Sequence, residues 1–466
     1  MQKIALLGAT GSIGRQTLDV VRECLPHAKV TALTAFSNVA ALAPLVDEFK
    51  PEMTWVPDDA AAAQLAEMIS VKCEILTGDD GLTTCAAQSN ADVVVNALVG
   101  CAGLAPTLAA IEAGKNIALA NKETLVTAGG LVMNLAREKN VRITPIDSEH
   151  SAIWQCLQGN DENDIEKIIL TASGGPFRTW PREKIATTTA ADALRHPNWN
   201  MGAKITVDCA TMMNKGLELI EAMWLFSQPI KKATPPLPEG SVAGVCPAER
   251  RGTSGKSGAA KAAGRPGCPG RTLRVLLGSA TDMGEQRWNI ATSPASSRSE
   301  REGLGQSPIA HENIEIVVHP QSIIHSMVQF TDGAVMAQMG LPDMRLPILY
   351  ALAAPKRVKT TFPRMDFLTC GSLTFEPPDT SKFPCLTLAQ EAARVGGTLP
   401  AVMNYINEWA VGEFLHDKIG FYDISDIIAA AFGAYTVKPV AGLDDIREAE
   451  AWAAEFVKTC DHYPKC

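Results

Sequence analysis

A chain of 466 residues, 46% hydrophobic with a mean hydropathy of +0.03, is long enough for two or three cored domains and carries no run long enough to span a bilayer. Its net charge of -9 provides no global field for nucleic acid or an anionic membrane, so neither is expected as a partner and any anionic ligand must be drawn by a local basic cluster. Twelve cysteines without a C-x-x-C pair suit reduced thiols better than a disulfide framework or a zinc site.

Met1 leads within two residues into the apolar run Ile4–Leu7, so no signal or transit segment is expected and the predicted location is cytoplasmic. That run, the glycine-rich turn Gly8-Ala9-Thr10-Gly11-Ser12-Ile13-Gly14 and the periodic segment Gln16–Arg22 read as strand, phosphate turn and helix. Further strands at Val30–Thr34, Val93–Val99, Asn116–Ala120 and Val141–Pro145 alternate with helical stretches such as Thr107–Ala113. This is the rhythm of an α/β, doubly wound parallel sheet (Rossmann-like), and it assigns residues 1–146 to nucleotide binding. The end of the second strand, Thr34-Ala35-Phe36-Ser37-Asn38, offers no acid for a ribose 2'-hydroxyl, which favours NADP over NAD.

Asp147-Ser148-Glu149-His150 follows a strand and precedes an apolar helical run, so it reads either as helix capping or as part of a hard-oxygen site for Mg²⁺ or Mn²⁺. Ala172-Ser173-Gly174-Gly175 follows the expected strand Ile168–Thr171 and is either an ordinary loop or a set of donors converging on an oxyanion. His196-Pro197-Asn198-Trp199-Asn200-Met201-Gly202 reads as a loop whose histidine is either solvated or functional. In Ile205–Glu221 a strand-like run ending at Asp208 is followed by a helix whose first turn gathers Asn214 and Lys215, with Glu218 one turn on. A lysine and an amide at a helix start can hold a phosphate, and the carboxylate can hold a metal.

From Gln228 to His311 glycine, serine, proline and arginine crowd the chain with weak apolar periodicity, so this stretch is read as a disordered insertion. Its Gly255-Lys256-Ser257 is no phosphate loop, because the required earlier glycine is Arg250. Ile314–His319 is a further expected strand, closing an α/β catalytic domain over residues 147–354. A proline-punctuated linker, 355–384, leads to a C-terminal helical bundle, 385–466, read from the periodicity of Leu386–Val395, Ala401–Leu415 and Ile424–Ala431.

The glycine-rich opening, Asp147-Ser148-Glu149 and Asn214-Lys215-Gly216-Leu217-Glu218 together make the chain resemble 1-deoxy-D-xylulose 5-phosphate reductoisomerases, with further matches at Ala120–Glu123, His319–Ser322, Gly340–Arg345 and Asn404–Glu408. The resemblance covers nearly all of the chain outside Gln228–His311. It implies NADPH- and metal-dependent rearrangement and reduction of a sugar phosphate, by a homodimer, with Mn²⁺ or Mg²⁺ and Co²⁺ as a further option. It places the metal on Asp147, Glu149 and Glu218, the cofactor against Thr10, Gly11, Ser12, Ile13, Asn38, Asn121, Glu123, Gly202 and Met344, and the catalytic roles on Lys122, Glu149 and His196. Substrate contacts fall to Lys122, Ser148, Glu149, Ser173, His196, Cys209, Asn214, Lys215 and Glu218, with Cys209 standing where the family has a second phosphate-binding serine. Phe36 and Ser37 stand where the family usually has glycine and often a basic residue, and His196–Gly202 matches its mobile lid. The rival readings are another NADP-dependent reductase, such as a semialdehyde dehydrogenase, and an NADP-binding homologue inactivated by the insertion.

Overall fold

The computed structural model describes residues 2–160, 164–195, 201–226, 228–229, 306–307 and 309–460. Its first layer is a seven-stranded parallel sheet built from β1 (Lys3–Leu7), β2 (Lys29–Thr34), β3 (Met53–Trp55), β4 (Glu74–Leu76), β5 (Val93–Asn96), β6 (Asn116–Leu119) and β7 (Ile143–Pro145) in the order β4-β3-β2-β1-β5-β6-β7. Helices on both faces bury it, which is why β5 can be a run of three valines without alternation. The order reverses between β1 and β5, so the strand ends there diverge and leave the crevice in which this architecture binds ligands.

A second sheet holds β8 (Ile165–Ala172), β11 (Ile314–Val318), β12 (Ile324–Phe330) and β13 (Val335–Met339) in the order β11-β8-β12-β13, parallel between β11 and β8 and antiparallel elsewhere. Between them in sequence, the two-residue strands β9 (Gln228–Pro229) and β10 (Gln306–Ser307) pair antiparallel. The ends of the expected insertion therefore lie side by side, while the expectation of disorder for its interior falls outside the described residues. Helices Pro384–Val395, Leu399–Leu415, Asp423–Ala434 and Leu443–Lys458 form the C-terminal bundle, its core including Leu386, Ile406, Phe414, Ile427 and Ile446.

One expectation is corrected. Ile205–Asp208 is not strand-like: it lies in the helix Ala203–Thr211, which ends where Met212 takes a left-handed conformation (φ 63°) and the chain turns into the helix Met213–Leu225. The β-branched run Ile205-Thr206-Val207 lowers helix propensity only modestly, and burial of Thr206, Val207 and Asp208 outweighs it.

Candidate active site

The strand β1 hands the chain to a turn whose first residue, Gly8, donates its N–H to Thr34 Oγ1 at 2.9 Å while Ala9 N–H reaches the Thr34 carbonyl at 2.8 Å. The helix Ser12–Cys24 then starts with no side chain capping its first turn. A Cβ on Gly14 would fall 2.2 Å from the Gly8 carbonyl, so only glycine lets helix and turn approach this closely. Uncapped N–H groups at the positive end of a helix are a ready anion site, and this cradle fits the pyrophosphate of a dinucleotide.

Gly11, Ser12 and Ile13 line a cavity of about 990 Å³, with Ala97, Leu98 and Val99 from the end of β5. Glu123, Gly202 and Met344 line it too, whereas Thr10 and Asn121 stand behind the wall: the Thr10 carbonyl accepts from Arg15 Nε at 2.9 Å and the Asn121 amide is buried. Asn38 lies outside the cavity as the N-cap of the helix Val39–Phe49, accepting from Ala41 N–H at 2.9 Å. Beside it Phe36 is 72% exposed and stacked near Trp55 (centroids 6.4 Å apart), an uncharged aromatic surface just after β2.

The same cavity is also lined by Lys122, Asp147, Ser148, Glu149, Asn214, Lys215 and Glu218. β7 delivers Asp147 to the head of the helix Ser148–Cys156, and the helix Met213–Leu225 presents Asn214, Lys215 and Glu218 one turn apart, all nearly buried. Carboxylate oxygens of Asp147, Glu149 and Glu218 come within 4.8 Å of one another. Lys122 Nζ lies 2.6 Å from Asp147 and 3.2 Å from Glu218, and Lys215 Nζ lies 2.6 Å from Glu149 and against Glu218. The two ammonium groups stand in for a divalent cation among three hard oxygen donors, so the donor set fits Mg²⁺ or Mn²⁺.

The charges reshape one another. Burial pushes Glu149 up, with Glu218 and Asp147 adding repulsion that Lys215 only partly offsets, so its carboxyl titrates at about 8. Asp147 goes the other way: burial resists ionisation, but Lys122 holds it well below the usual carboxylate range. Lys122 and Lys215 are raised in turn, because their carboxylate neighbours outweigh the cost of burying an ammonium.

Ser173 and Gly174 line the cavity as well, together with Cys209. Ser173 Oγ accepts from Gly175 N–H at 3.2 Å, and the thiol of Cys209 is pushed above its ordinary range by burial and by Glu218, so it stays protonated. Asn214 donates to Glu218 and also accepts from Lys122 at 2.8 Å, which ties this amide to the carboxylate cluster as much as to the oxyanion expected beside it. His196 lies outside the described residues.

Sequence reasoning passed over two groups. His150 and Glu221, three residues beyond Glu218, are fully buried behind the carboxylates. His150 Nε2 donates to the Glu218 carbonyl at 2.9 Å, so its Nδ1 faces Glu221 at 3.5 Å as an acceptor, and burial favours the neutral form of both. The second group is Lys204 with Asp208, at i and i+4 on Ala203–Thr211, a spacing that the strand-like reading of this run concealed.

Profiles of known families match three stretches: 1-deoxy-D-xylulose 5-phosphate reductoisomerase over residues 4–129, its C-terminal domain over 143–226, and a DXP reductoisomerase C-terminal domain over 339–456. Curated proteins of the same name from Gloeobacter violaceus (42% identical, over 98% of this chain and 97% of that one) and Chlorobium limicola (43%, over 98% of each) align along the whole length. Among solved structures, the Zymomonas mobilis reductoisomerase in complex with NADPH superposes with a TM-score of 0.76 at 37% identity, covering 99% of this chain and 100% of that one. A DOX-P reductoisomerase in complex with NADPH, fosmidomycin and magnesium superposes with a TM-score of 0.77 at 35% identity and the same coverage.

Proposed function

The chain belongs to the 1-deoxy-D-xylulose 5-phosphate reductoisomerase family, and from that premise we propose how its cavity divides the work. The protein is an NADPH- and divalent-metal-dependent oxidoreductase that converts 1-deoxy-D-xylulose 5-phosphate to 2-C-methyl-D-erythritol 4-phosphate, in isoprenoid precursor synthesis. The carbon skeleton first rearranges to an aldehyde, and a hydride and a proton then reduce it to the alcohol. One observation carries the reading: an uncapped glycine turn and three converging carboxylates open onto a single cavity.

Asp147, Glu149 and Glu218 would hold the divalent ion, which when bound supplies a Lewis acid at the substrate's oxygens, as NADPH supplies the hydride. Mg²⁺ suits the oxygen set, and Mn²⁺ and Co²⁺ suit it as well. Lys122 and the Ser148 hydroxyl, both on the cavity wall, donate to substrate hydroxyls and fix their orientation. Ser173, Cys209, Asn214 and Lys215 face the phosphate, and His196 contacts substrate as the family resemblance implies. Thr10, Gly11, Ser12, Ile13 and Asn38 serve the nucleotide end, and Asn121, Glu123, Gly202 and Met344 the nicotinamide end. We place the boundary of the nucleotide part after β7, at residue 146, with catalytic, linking and helical parts over 147–354, 355–384 and 385–466.

A homodimer is supported by β13, whose outer edge pairs with no described strand and whose Val335 and Met336 are 50% and 43% exposed. No helix among the described residues is long and apolar enough to cross a membrane, and the expected location is cytoplasmic. The deciding assay follows NADPH oxidation on adding 1-deoxy-D-xylulose 5-phosphate with and without Mg²⁺ or Mn²⁺. Oxidation that needs both sugar phosphate and metal is expected, and none with either ion would overturn the reading.

A further inference from the structure

Lys204 has no part in the scheme above, yet it lines the same cavity. Its ammonium lies 2.7 Å from Glu123 Oε1 and 3.0 Å from Asp208 Oδ2. Behind Asp208, Oδ1 accepts from Asn407 Nδ2 at 2.8 Å, and Asn407 belongs to the C-terminal helix Leu399–Leu415. On the other side Glu123 Oε2 accepts from Asn121 Nδ2 at 3.1 Å, and that amide also donates to the carbonyls of Leu98 (3.1 Å) and Gly100 (2.9 Å). An unbroken line of five side chains thus joins the C-terminal helices to the loop after β5.

Asn121, Glu123, Asp208 and Asn407 are all at least nine-tenths buried. Removing three charges from water costs several kcal/mol each, and apolar side chains of similar volume stabilise a fold as well or better. Fold stability therefore accounts poorly for the line. Its geometry accounts for it better, because Glu123 has one oxygen held by Asn121 and the other by Lys204, leaving its carboxylate a single orientation.

We propose that Lys204 is a positioning residue for NADPH: backed by Asp208 and Asn407, it fixes the Glu123 carboxylate at the nicotinamide end of the cavity. The proposal rests on the reading of Glu123 as a cofactor contact, and the experiment separates the two.

NADPH affinity is measured by fluorescence titration of the full chain carrying Lys204→Met, Lys204→Arg, Asp208→Asn, Glu123→Gln, or Lys204→Met with Glu123→Gln. The KM for the sugar phosphate is measured at saturating NADPH alongside. Lys204→Met should weaken NADPH binding by about tenfold or more, the worth of a charge-assisted hydrogen bond, with sugar-phosphate KM within about twofold. Lys204→Arg should recover most of the loss. In the Glu123→Gln background, Lys204→Met should cost less than about threefold, because the coupled partner is gone. An equal cost in both backgrounds overturns the proposal, as does unchanged NADPH affinity in Lys204→Met when Glu123→Gln weakens it. If Glu123→Gln itself leaves NADPH binding unchanged, the reading of Glu123 falls and the proposal falls with it. Asp208→Asn keeps the Lys204–Glu123 pair and so tests the backing even if Lys204→Met folds poorly: a loss of about threefold or more supports it and none refutes it.

Discussion

Lys122 places its ammonium 2.6 Å from the Asp147 carboxylate, inside the cluster that would hold a divalent ion. With Lys215 against Glu149, two cations face three acids before any metal arrives, and because Glu149 titrates at about 8 the charges nearly cancel at neutral pH. Glu218 is the acid that both lysines touch. Glu218→Gln should therefore remove turnover by a factor of roughly a hundred or more while NADPH affinity stays within about twofold, since Glu218 is no part of the glycine turn. Steady-state rates at saturating Mg²⁺ beside an NADPH titration check this. Activity within tenfold of the parent would take Glu218 out of the metal site.

Cys209→Ser should tighten binding of the phosphorylated substrate. The thiol is held protonated by its burial, and a hydroxyl in its place is the stronger donor. A neutral hydrogen bond contributes about 0.5 to 1.5 kcal/mol, so KM should fall roughly two- to tenfold. An unchanged or higher KM would show that this side chain does not face the phosphate.

Much of this site was legible because its chemistry is concentrated in short runs: Asp147 and Glu149 are two residues apart, and Asn214, Lys215 and Glu218 share a helical turn. The strands β1, β2, β5 to β8 and β11 were readable from apolar runs, the three-residue β7 because Val141 before it extends its run, whereas β3 follows Glu52, β4 begins at Glu74 and β12 interrupts its apolar positions with His325 and Ser326. Lys204 was missed for a different reason: Ile205-Thr206-Val207 carries strand-like residues on a buried helix, and only the helical period brings Lys204 over Asp208. The link from Asp208 to Asn407 spans 199 positions, a distance across which no local pattern reaches.

Acid should destabilise the fold through His325. Burial drives its pKa down to about 4, against hydrogen bonds with the backbone of Leu341 and Gly340 that favour the charged form. The unfolded chain takes up this proton near pH 6.5 and the folded one only near 4, so the contribution is complete above 6.5 and is lost as pH falls between these values. The loss amounts to about 3 kcal/mol by pH 4. Denaturant midpoints from pH 7 to 4.5 should fall less steeply in His325→Gln than in the parent, and parallel curves would show that another group is responsible.

Gly216→Ala should destabilise the protein and displace the site with it. A Cβ there would stand 2.2 Å from Ala389 Cβ, so the helix carrying Asn214, Lys215 and Glu218 must shift away from Pro384–Val395. Overpacking of this kind costs about 1 to 3 kcal/mol. Thermal unfolding should show the loss, and Mg²⁺ affinity should drop in parallel because Glu218 rides on the same turn. Unchanged stability would mean that the two helices separate freely.

The stretch Ile230–Gly305 should be dispensable. Its two ends are already antiparallel neighbours, with Pro229 opposite Gln306 and Gln228 opposite Ser307, so the chain leaves and re-enters the fold at one place. A two-residue Asn-Gly turn joining Pro229 to Gln306 meets the twist that such a pair requires. Shortening the loop also lowers its closure cost, at about 0.6 kcal/mol for each halving. The carboxylates are supplied by Asp147, Glu149 and Glu218 and the cofactor turn by Gly8–Gly14, and none of these belongs to the deleted stretch. The shortened protein is expected to keep kcat/KM within about threefold of the parent and to unfold at the same or a higher temperature. A loss of about tenfold or more in kcat/KM, in a variant that still unfolds cooperatively and binds NADPH, would show that Ile230–Gly305 contributes to catalysis after all.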